Sequence, residues 1–486
     1  MKKFVSDTLF ITAAGFINKA KGVIFIPFII SMVGLANYGA FVQILITRMF
    51  KSFFSLELGM GFQRFASQLK KDDTRELGLH FYSILLPTFV LGALGTLLWF
   101  LSAYWLDVWF FEGKHLETVQ VASLIILSGC LYSNLSKYLL CRKLFKPYSV
   151  LSFFYEFLPY LGFIAGIGLY KDLFWGVVYY VIVEYMVVLA TFFYLAYGIP
   201  VVRPSRLLFK KYVQYTYPLV FSSIEGGMLS KSDRYFISYF IGIEAVGIYN
   251  IIYKICDVIG FIVMPIRKQV MSYLAKSWDK GYHNESIAVI RNTLLLFSSI
   301  SIGLIVFLMI YLHSMLELFL DKAIEIEYLV PAIGLIGVGV AANSSKDFFY
   351  LLVRLGKNTL DEFWYQLAGL VPNVMLNFLL VPHYGILGSA IATFTSHLII
   401  LLLINRKYSL RIDRTFLRYF GLFILVSAVM LPVEKLLPAN DSNALMFMAS
   451  AALAGLSYLL LLLLVGRGLL LDMQKSFREF NRLKYS

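Results

Sequence analysis

Val33–Phe41 reads VGLANYGAF and joins two apolar runs, at about 5–33 and 39–58. The same punctuation returns at Ile241–Tyr249, IGIEAVGIY. Gly34 matches Gly242, Gly39 matches Gly247, and Phe41 matches Tyr249. In both places an outgoing apolar segment turns and a returning one begins. The first turn lies between apolar segments one and two, the second between segments seven and eight. Two similar six-helix halves in parallel arrangement follow, a common plan among transporters.

Working outward, apolar runs of span length recur along all 486 residues. The chain is 59% hydrophobic and 15% charged, with a mean hydropathy of +0.75. Soluble domains carry about 25% charged residues. Fourteen spans are expected, near 5–33, 39–58, 79–103, 118–140, 148–170, 173–198, 217–241, 246–266, 292–313, 327–347, 358–381, 384–405, 416–434 and 443–465. The expected fold is an all-α polytopic membrane protein. Two six-helix lobes stand in pseudo-two-fold arrangement around a central cavity, with two extra C-terminal helices. The expected division is 1–202 for the N-terminal lobe, 203–412 for the C-terminal lobe, and 413–486 for spans 13 and 14 with an amphipathic cytoplasmic tail. Only helices and closed barrels satisfy their backbone in lipid, and a barrel would show short alternating segments instead.

The charge pattern supports this count. Loops assigned inside hold 30 of the 43 lysines and arginines, and loops assigned outside hold four: Lys114, Lys171, Lys322 and Lys435. One missed helix would invert the alternation from that point on. Both termini are therefore expected in the cytoplasm. The N-terminal run is read as an uncleaved first span, because Asn18, Lys19 and Lys21 interrupt it. Inside segments near 62–78 and 267–291, and the stretch near 466–484, are expected to form interfacial amphipathic helices. The formal charge of +14 follows membrane sidedness, which argues against nucleic acid as a partner.

Nine basic residues remain within spans. A charge at the bilayer centre costs at least about 2.5–3.5 kcal/mol and usually faces a bundle interior or a wet cavity. Lys19 and Lys21 sit on the first span, and Arg48 and Lys51 on the second. Lys231 and Arg234 sit on the seventh beside Glu225 and Asp233, and Lys254 and Asp257 on the eighth. Arg48, Lys51 and Ser55 fall at i, i+3 and i+7, one helical face. The first two helices of each half could thus turn cationic faces to one cavity, suited to an anion. The plainer reading pairs Lys254 with Asp257 and Arg234 with Asp233. It leaves Arg48, Lys51, Lys19 and Lys21 uncovered, since the first two spans offer only Glu57. Glu156 and Glu184, buried acids of the fifth and sixth spans, are either proton-coupling sites or neutral hydrogen-bonded acids. Lys137 and the Lys346–Asp347 pair sit near cytoplasmic helix ends and are expected to snorkel.

Other chemistry is not legible. Cys130, Cys141 and Cys256 have no metal spacing and form no disulfide framework, and the six histidines do not cluster. No GxxxxGK[ST] loop or HExxH or GxSxG pattern occurs. No cofactor is expected, and energy would come from an H+ or Na+ gradient, the membrane potential or the substrate gradient. A membrane glycosyltransferase or glycan polymerase needs a sizeable outside loop, and the longest here, about 104–117 and 314–326, are short.

Four stretches carry a resemblance: the Gly-x-x-x-Tyr-Gly run at Gly34–Gly39, GMGFQRFAS at Gly59–Ser67, SDRYFISYFIGIEAVGIYN at Ser232–Asn250, and VPHYGILGSAIAT at Val381–Thr393. With the span count, they make the chain resemble the Wzx-type polysaccharide flippases (O-antigen or capsule repeat-unit translocases) of the multidrug/oligosaccharidyl-lipid/polysaccharide exporter superfamily. The resemblance implies a V-shaped cation-lined cavity, alternating access, and an undecaprenyl-pyrophosphate-linked oligosaccharide as substrate. It also implies the bacterial cytoplasmic membrane, with membrane lipids, the glycan polymerase and the chain-length machinery as expected partners. Asp233 and Arg234 occupy the charged position of the seventh span. An ion-coupled multidrug efflux antiporter of the same superfamily is the alternative, and its cavity should be acidic and aromatic.

Overall fold

Lys171 and Asp172 show how this chain ends one helix and begins the next. Lys171 takes a left-handed conformation (φ +54°) and closes Phe145–Tyr170, and the Asp172 side chain then accepts a hydrogen bond from the Phe174 N–H to cap Leu173–Ala196. Asp73, Ser205 and Asp413 cap other helices in the same way. Each supplies an oxygen to a backbone N–H that the first helical turn leaves without a partner.

A computed structural model describes residues 2–66, 69, 73–142, 144–260, 274, 278, 280–319, 329–356, 359–410, 412–436 and 444–468; side chains are described from residue 24 onward, except 312–319, 359 and 444–445. Among the described residues every regular element is helical. Among the described residues nine helices are long and apolar enough to cross a membrane, and Leu360–Lys407 and the first helix are each long enough to hold two of the expected spans. In both, the helix bends at a glycine of positive φ: Gly34 (φ +77°) and Gly385 (φ +57°). The interfacial helix expected near 267–291 falls partly, and the amphipathic tail near 466–484 almost wholly, outside the described residues.

The chain divides into two compact units, Met1–Ile251 and Ile252–Ser486. The first contains α1 (Lys2–Ile46), a 3-10 turn (Thr47–Phe50), α2 (Lys51–Ser55), α3 (Leu58–Phe65), α4 (Thr74–Phe110), α5 (Leu116–Ala122), α6 (Leu124–Cys141), α7 (Phe145–Tyr170), α8 (Leu173–Ala196), α9 (Arg206–Lys231) and α10 (Asp233–Phe240). It also takes most of α11 (Ile243–Cys256). α7 packs along α8 and α1, and α6 packs against α3 and α4. Leu58, Phe62, Phe81, Leu135, Leu139 and Tyr212 are buried in the core between these helices.

The second span is expected as one continuous helix, and here the structure differs. The chain tightens into 3-10 geometry at Thr47–Phe50 and reverses hand at Leu56 and Glu57, both at φ +48°. Residues three apart eclipse one another in a 3-10 turn, so Arg48 and Lys51 still share a side despite the break. The seventh span is likewise interrupted, with α9 ending at Lys231 and α10 starting at Asp233.

The second unit contains α12 (His283–Phe319), α13 (Val330–Leu355), α14 (Thr359–Lys407), α15 (Arg414–Ser427), α16 (Met430–Leu436) and α17 (Ala444–Val465). α13 packs along α14, and α15 and α17 pack on α12. Span 14 is fastened there by buried tyrosines, Tyr458 donating to the Ser299 carbonyl and Tyr311 lying 2.9 Å from the Ser450 hydroxyl, and span 13 adds Val426 and Met430 to the same apolar cluster. Lys346 corrects an expectation. It does not snorkel but is 8% exposed, enclosed by protein. The three cysteines are buried and unpaired.

Candidate functional site

Arg48 is the hub of a polar cluster inside the first unit. Its Nη2 donates to Glu184 Oε1 at 2.5 Å, and its Nη1 lies 4.0 Å from Glu156 Oε2. The guanidinium also sits over two aromatic rings, 5.2 Å from the Tyr155 centroid and 5.5 Å from that of Tyr180. Tyr180 and Glu184 are one turn apart on α8, so a single helix face presents the ring and the acid together. Tyr155 and Glu156 come from α7. Lys51 joins from below: its stem and the Tyr155 hydroxyl both lie within 4 Å of where a Gly129 Cβ would stand.

The cluster is held but not saturated. Arg48 Nε and Glu184 Oε2 are buried without a hydrogen-bond partner among the described residues. Glu184 is fully buried, whereas the Arg48 side chain keeps 16% of its surface exposed and Glu156 keeps 37%. The Lys51 ammonium makes no ion pair among the described residues. Cation–π contact adds about 0.5–2 kcal/mol, more when desolvated, and orients the guanidinium plane. The result is a pinned, partly accessible cation with one donor to spare, next to a second cation.

The other charged position behaves differently. Arg234 Nη1 donates to Asp233 Oδ1 at 3.0 Å and to the Ser230 carbonyl at 3.2 Å. Its Nε and Nη2 both reach Asn250 Oδ1 at 3.4 Å, and its guanidinium lies over the Tyr249 ring. Tyr249 donates to Asp233 Oδ2, and Asn250 Nδ2 donates to Tyr38 Oη at 2.7 Å. Arg234 and Asp233 are 5% and 2% exposed. This knot ties α9, α10 and α11 to Tyr38 on α1. Its geometry is that of a structural lock rather than of a waiting ligand.

The remaining candidates are placed as follows. Glu225 on α9 is buried, and both its carboxylate oxygens lack a hydrogen-bond partner among the described residues. Lys231 ends α9 half-buried. Lys254 and Asp257 are half-buried and belong to the second unit. Lys19 and Lys21 lie on α1, and their side chains are outside the described residues. The structure therefore brings Arg48, Lys51, Glu156 and Glu184 into one cluster and Asp233 with Arg234 into another. Sequence reading found no acid for Arg48 because the partners come from α7 and α8, more than a hundred residues on. It also missed Tyr155 and Tyr180, although the i, i+4 spacing of Tyr180 and Glu184 was a readable signal. Among the described residues no three His, Cys, Asp or Glu converge as a metal site.

Comparison with known structures defines the class. An inward-facing multidrug resistance MATE family transporter of the MOP superfamily superposes with a TM-score of 0.61 at 13% identity, covering 84% of this chain and 96% of that one. A MOP superfamily transporter from Pyrococcus furiosus, whose binding pocket is described as of reverse polarity, gives 0.54 at 13% identity, with 83% and 95% covered. A MATE protein in complex with MaD5 gives 0.52 at 14% identity, with 84% and 97% covered. The chain thus has the two-lobed helical fold of a multi-pass membrane transporter. A family model described as polysaccharide biosynthesis protein matches residues 4–278, and the chain belongs to that family. No curated protein sequence matches it significantly.

Proposed function

We propose that the protein carries a lipid-linked oligosaccharide from the inner to the outer leaflet of a bacterial cytoplasmic membrane, with Arg48 and Lys51 receiving its diphosphate. The observation that carries this reading is the unsaturated cationic pair: among the described residues Arg48 Nε has no hydrogen-bond partner while part of the side chain is exposed, and no acid pairs with the Lys51 ammonium. Family membership in polysaccharide biosynthesis supports it. A diphosphate crossing hydrocarbon must exchange its hydration for other donors, and charge-assisted hydrogen bonds from Arg and Lys are roughly twice as strong as neutral ones. The lipid tail stays in the bilayer while rocking of one lobe moves the head group. With the cytoplasm negative, moving each negative charge outward across the membrane gains about 2.3 kcal/mol per 100 mV. No ATPase motif is then required. Both termini lie in the cytoplasm, and the glycan polymerase is the expected downstream partner.

A second reading is ion-coupled efflux of organic cations. The aromatic rings of Tyr155 and Tyr180 beside Glu156 and Glu184 favour it, since rings and acids also suit a cation. The two readings part on one experiment, the accessibility of lipid-linked repeat units at the outer leaflet in cells carrying Arg48→Ala or Lys51→Ala. The flippase reading expects repeat units to accumulate inside. Normal surface delivery with lost drug resistance would establish efflux instead.

A further inference from the structure

We propose that Glu184 is a built-in competitor of the substrate's diphosphate for Arg48, and that loading the substrate draws one proton onto Glu184. This rests on the reading that the anion binds at Arg48. The carboxylate accepts from the guanidinium's Nη2 at 2.5 Å, the place a phosphate oxygen needs. It is fully buried, and its second oxygen already lacks a hydrogen-bond partner among the described residues.

When a diphosphate withdraws Arg48, Glu184 is left without its counter-charge. A lone ionised carboxylate in an apolar interior is far more costly than a neutral one, and such groups neutralise instead. Among the described side chains, Arg48 is the cation that pairs with Glu184; α1 also packs on α8, and the side chains of its Lys19 and Lys21 lie outside the described residues. α7 contributes Tyr155, Glu156 and Tyr160, and α8 itself Tyr180 and Tyr185. α6 contributes Cys130, which faces Tyr185, and Glu117 on α5 is exposed. Tyr185 is already engaged, donating to the Leu124 carbonyl. The carboxylate therefore takes a proton from water as the guanidinium leaves and returns it when the diphosphate departs. One cation serves two anions in turn, and the proton marks which holds it.

The test uses the full-length protein in lipid nanodiscs with farnesyl diphosphate as probe. Affinity and proton uptake are read by calorimetry at several pH values in buffers of different ionisation enthalpy. Wild type should bind more tightly as pH falls, by up to about tenfold per unit for one linked proton. It should also take up close to one proton more per probe than Glu184→Gln, whose titration reports the probe's own protons. Glu184→Gln should bind about tenfold or more tightly than wild type at pH 8, where wild-type Glu184 competes fully. Equal affinity and equal proton uptake in the two proteins would overturn the proposal. Should Glu184→Gln fail to fold, wild-type uptake at pH 8 decides alone, because the probe is then fully ionised (phosphate second pKa about 6); no uptake refutes the idea. Arg48→Gln separates the two levels. Probe binding that needs Arg48 but takes up no proton sinks this inference and leaves the flippase reading intact. Absence of binding in wild type removes both.

Discussion

Gly39 and Gly247, equivalent positions of the two sequence repeats, lie backbone to backbone. A Cβ on Gly247 would stand 2.9 Å from the Leu35 carbonyl oxygen and 3.4 Å from the Gly39 nitrogen. One on Gly39 would overlap the Ile243 carbonyl oxygen and come within 3.1 Å of the Gly247 nitrogen. The two turns that identify the repeat therefore touch through the backbone of their own glycines.

Gly39→Ala should consequently force two backbones apart. Overpacking of this kind typically costs about 1–3 kcal/mol, and backbone atoms yield less than side chains. A clear fall in melting temperature of the purified protein is expected. Gly455→Ala, where nothing lies within 4 Å, serves as the control and should leave it unchanged.

Arg234 and Arg48 should separate stability from transport. Arg234→Ala strands Asp233 at 2% exposure, and breaking a buried pair from one side costs about 3–5 kcal/mol. Poor expression or a strongly lowered melting temperature is expected. Arg48→Lys keeps a charge but loses the planar fork and the ring contacts. Folded protein with at least a tenfold loss of diphosphate affinity is expected from it. The two variants behaving alike in thermal melts and in binding would show that both arginines serve one role.

Tyr180→Leu removes one of the two rings under the guanidinium while keeping an apolar side chain. The loss of a cation–π contact is worth about 0.5–2 kcal/mol, a few-fold to about thirtyfold in affinity. Tyr180→Phe keeps the ring and should retain most binding. Equal losses in the two variants would assign the effect to the hydroxyl instead.

Glu112 supplies the pH dependence. Its carboxylate accepts from Lys114 Nζ at 2.7 Å and from the Ile243 N–H at 3.1 Å. The ammonium of Lys114 first, then the Ile243 amide, hold its carboxyl below the usual glutamate range. Because the folded value is depressed, the contact contributes fully above the unfolded glutamate value, near pH 4.3, and is lost as pH falls through the folded one. Hydrogen exchange at the Ile243 amide should show protection at neutral pH that fades only in acid below the ordinary glutamate range. Glu112→Gln should remove that pH dependence.

Much of this was readable beforehand. The span limits 148–170 and 173–198 meet the helices Phe145–Tyr170 and Leu173–Ala196 because helix ends are local: Lys171 and Asp172 act through their own neighbours. The break at residues 47–57 was not readable, because leucine and glutamate at φ +48° betray nothing in a one-dimensional pattern and are held there by packing. The identity of the midplane cations was plain from their depth, but not their state. The sequence already sets Asp233 beside Arg234, whereas the acids of Arg48, Glu156 and Glu184, arrive from α7 and α8 and are visible only in the fold.

By itself the sequence determined that this is a helical membrane protein of repeated halves with positive groups at depth, since hydropathy, spacing and loop charge are properties of the chain read in order. Tertiary structure alone decided which cation is locked and which is available. Asp233 and Ser230 take Arg234 Nη1 and Asn250 takes its Nε and Nη2 from another helix, while Glu184, 136 residues away, holds Arg48 by a single hydrogen bond. Electrostatic pairing depends on distance in space, and no order of residues along a chain fixes that.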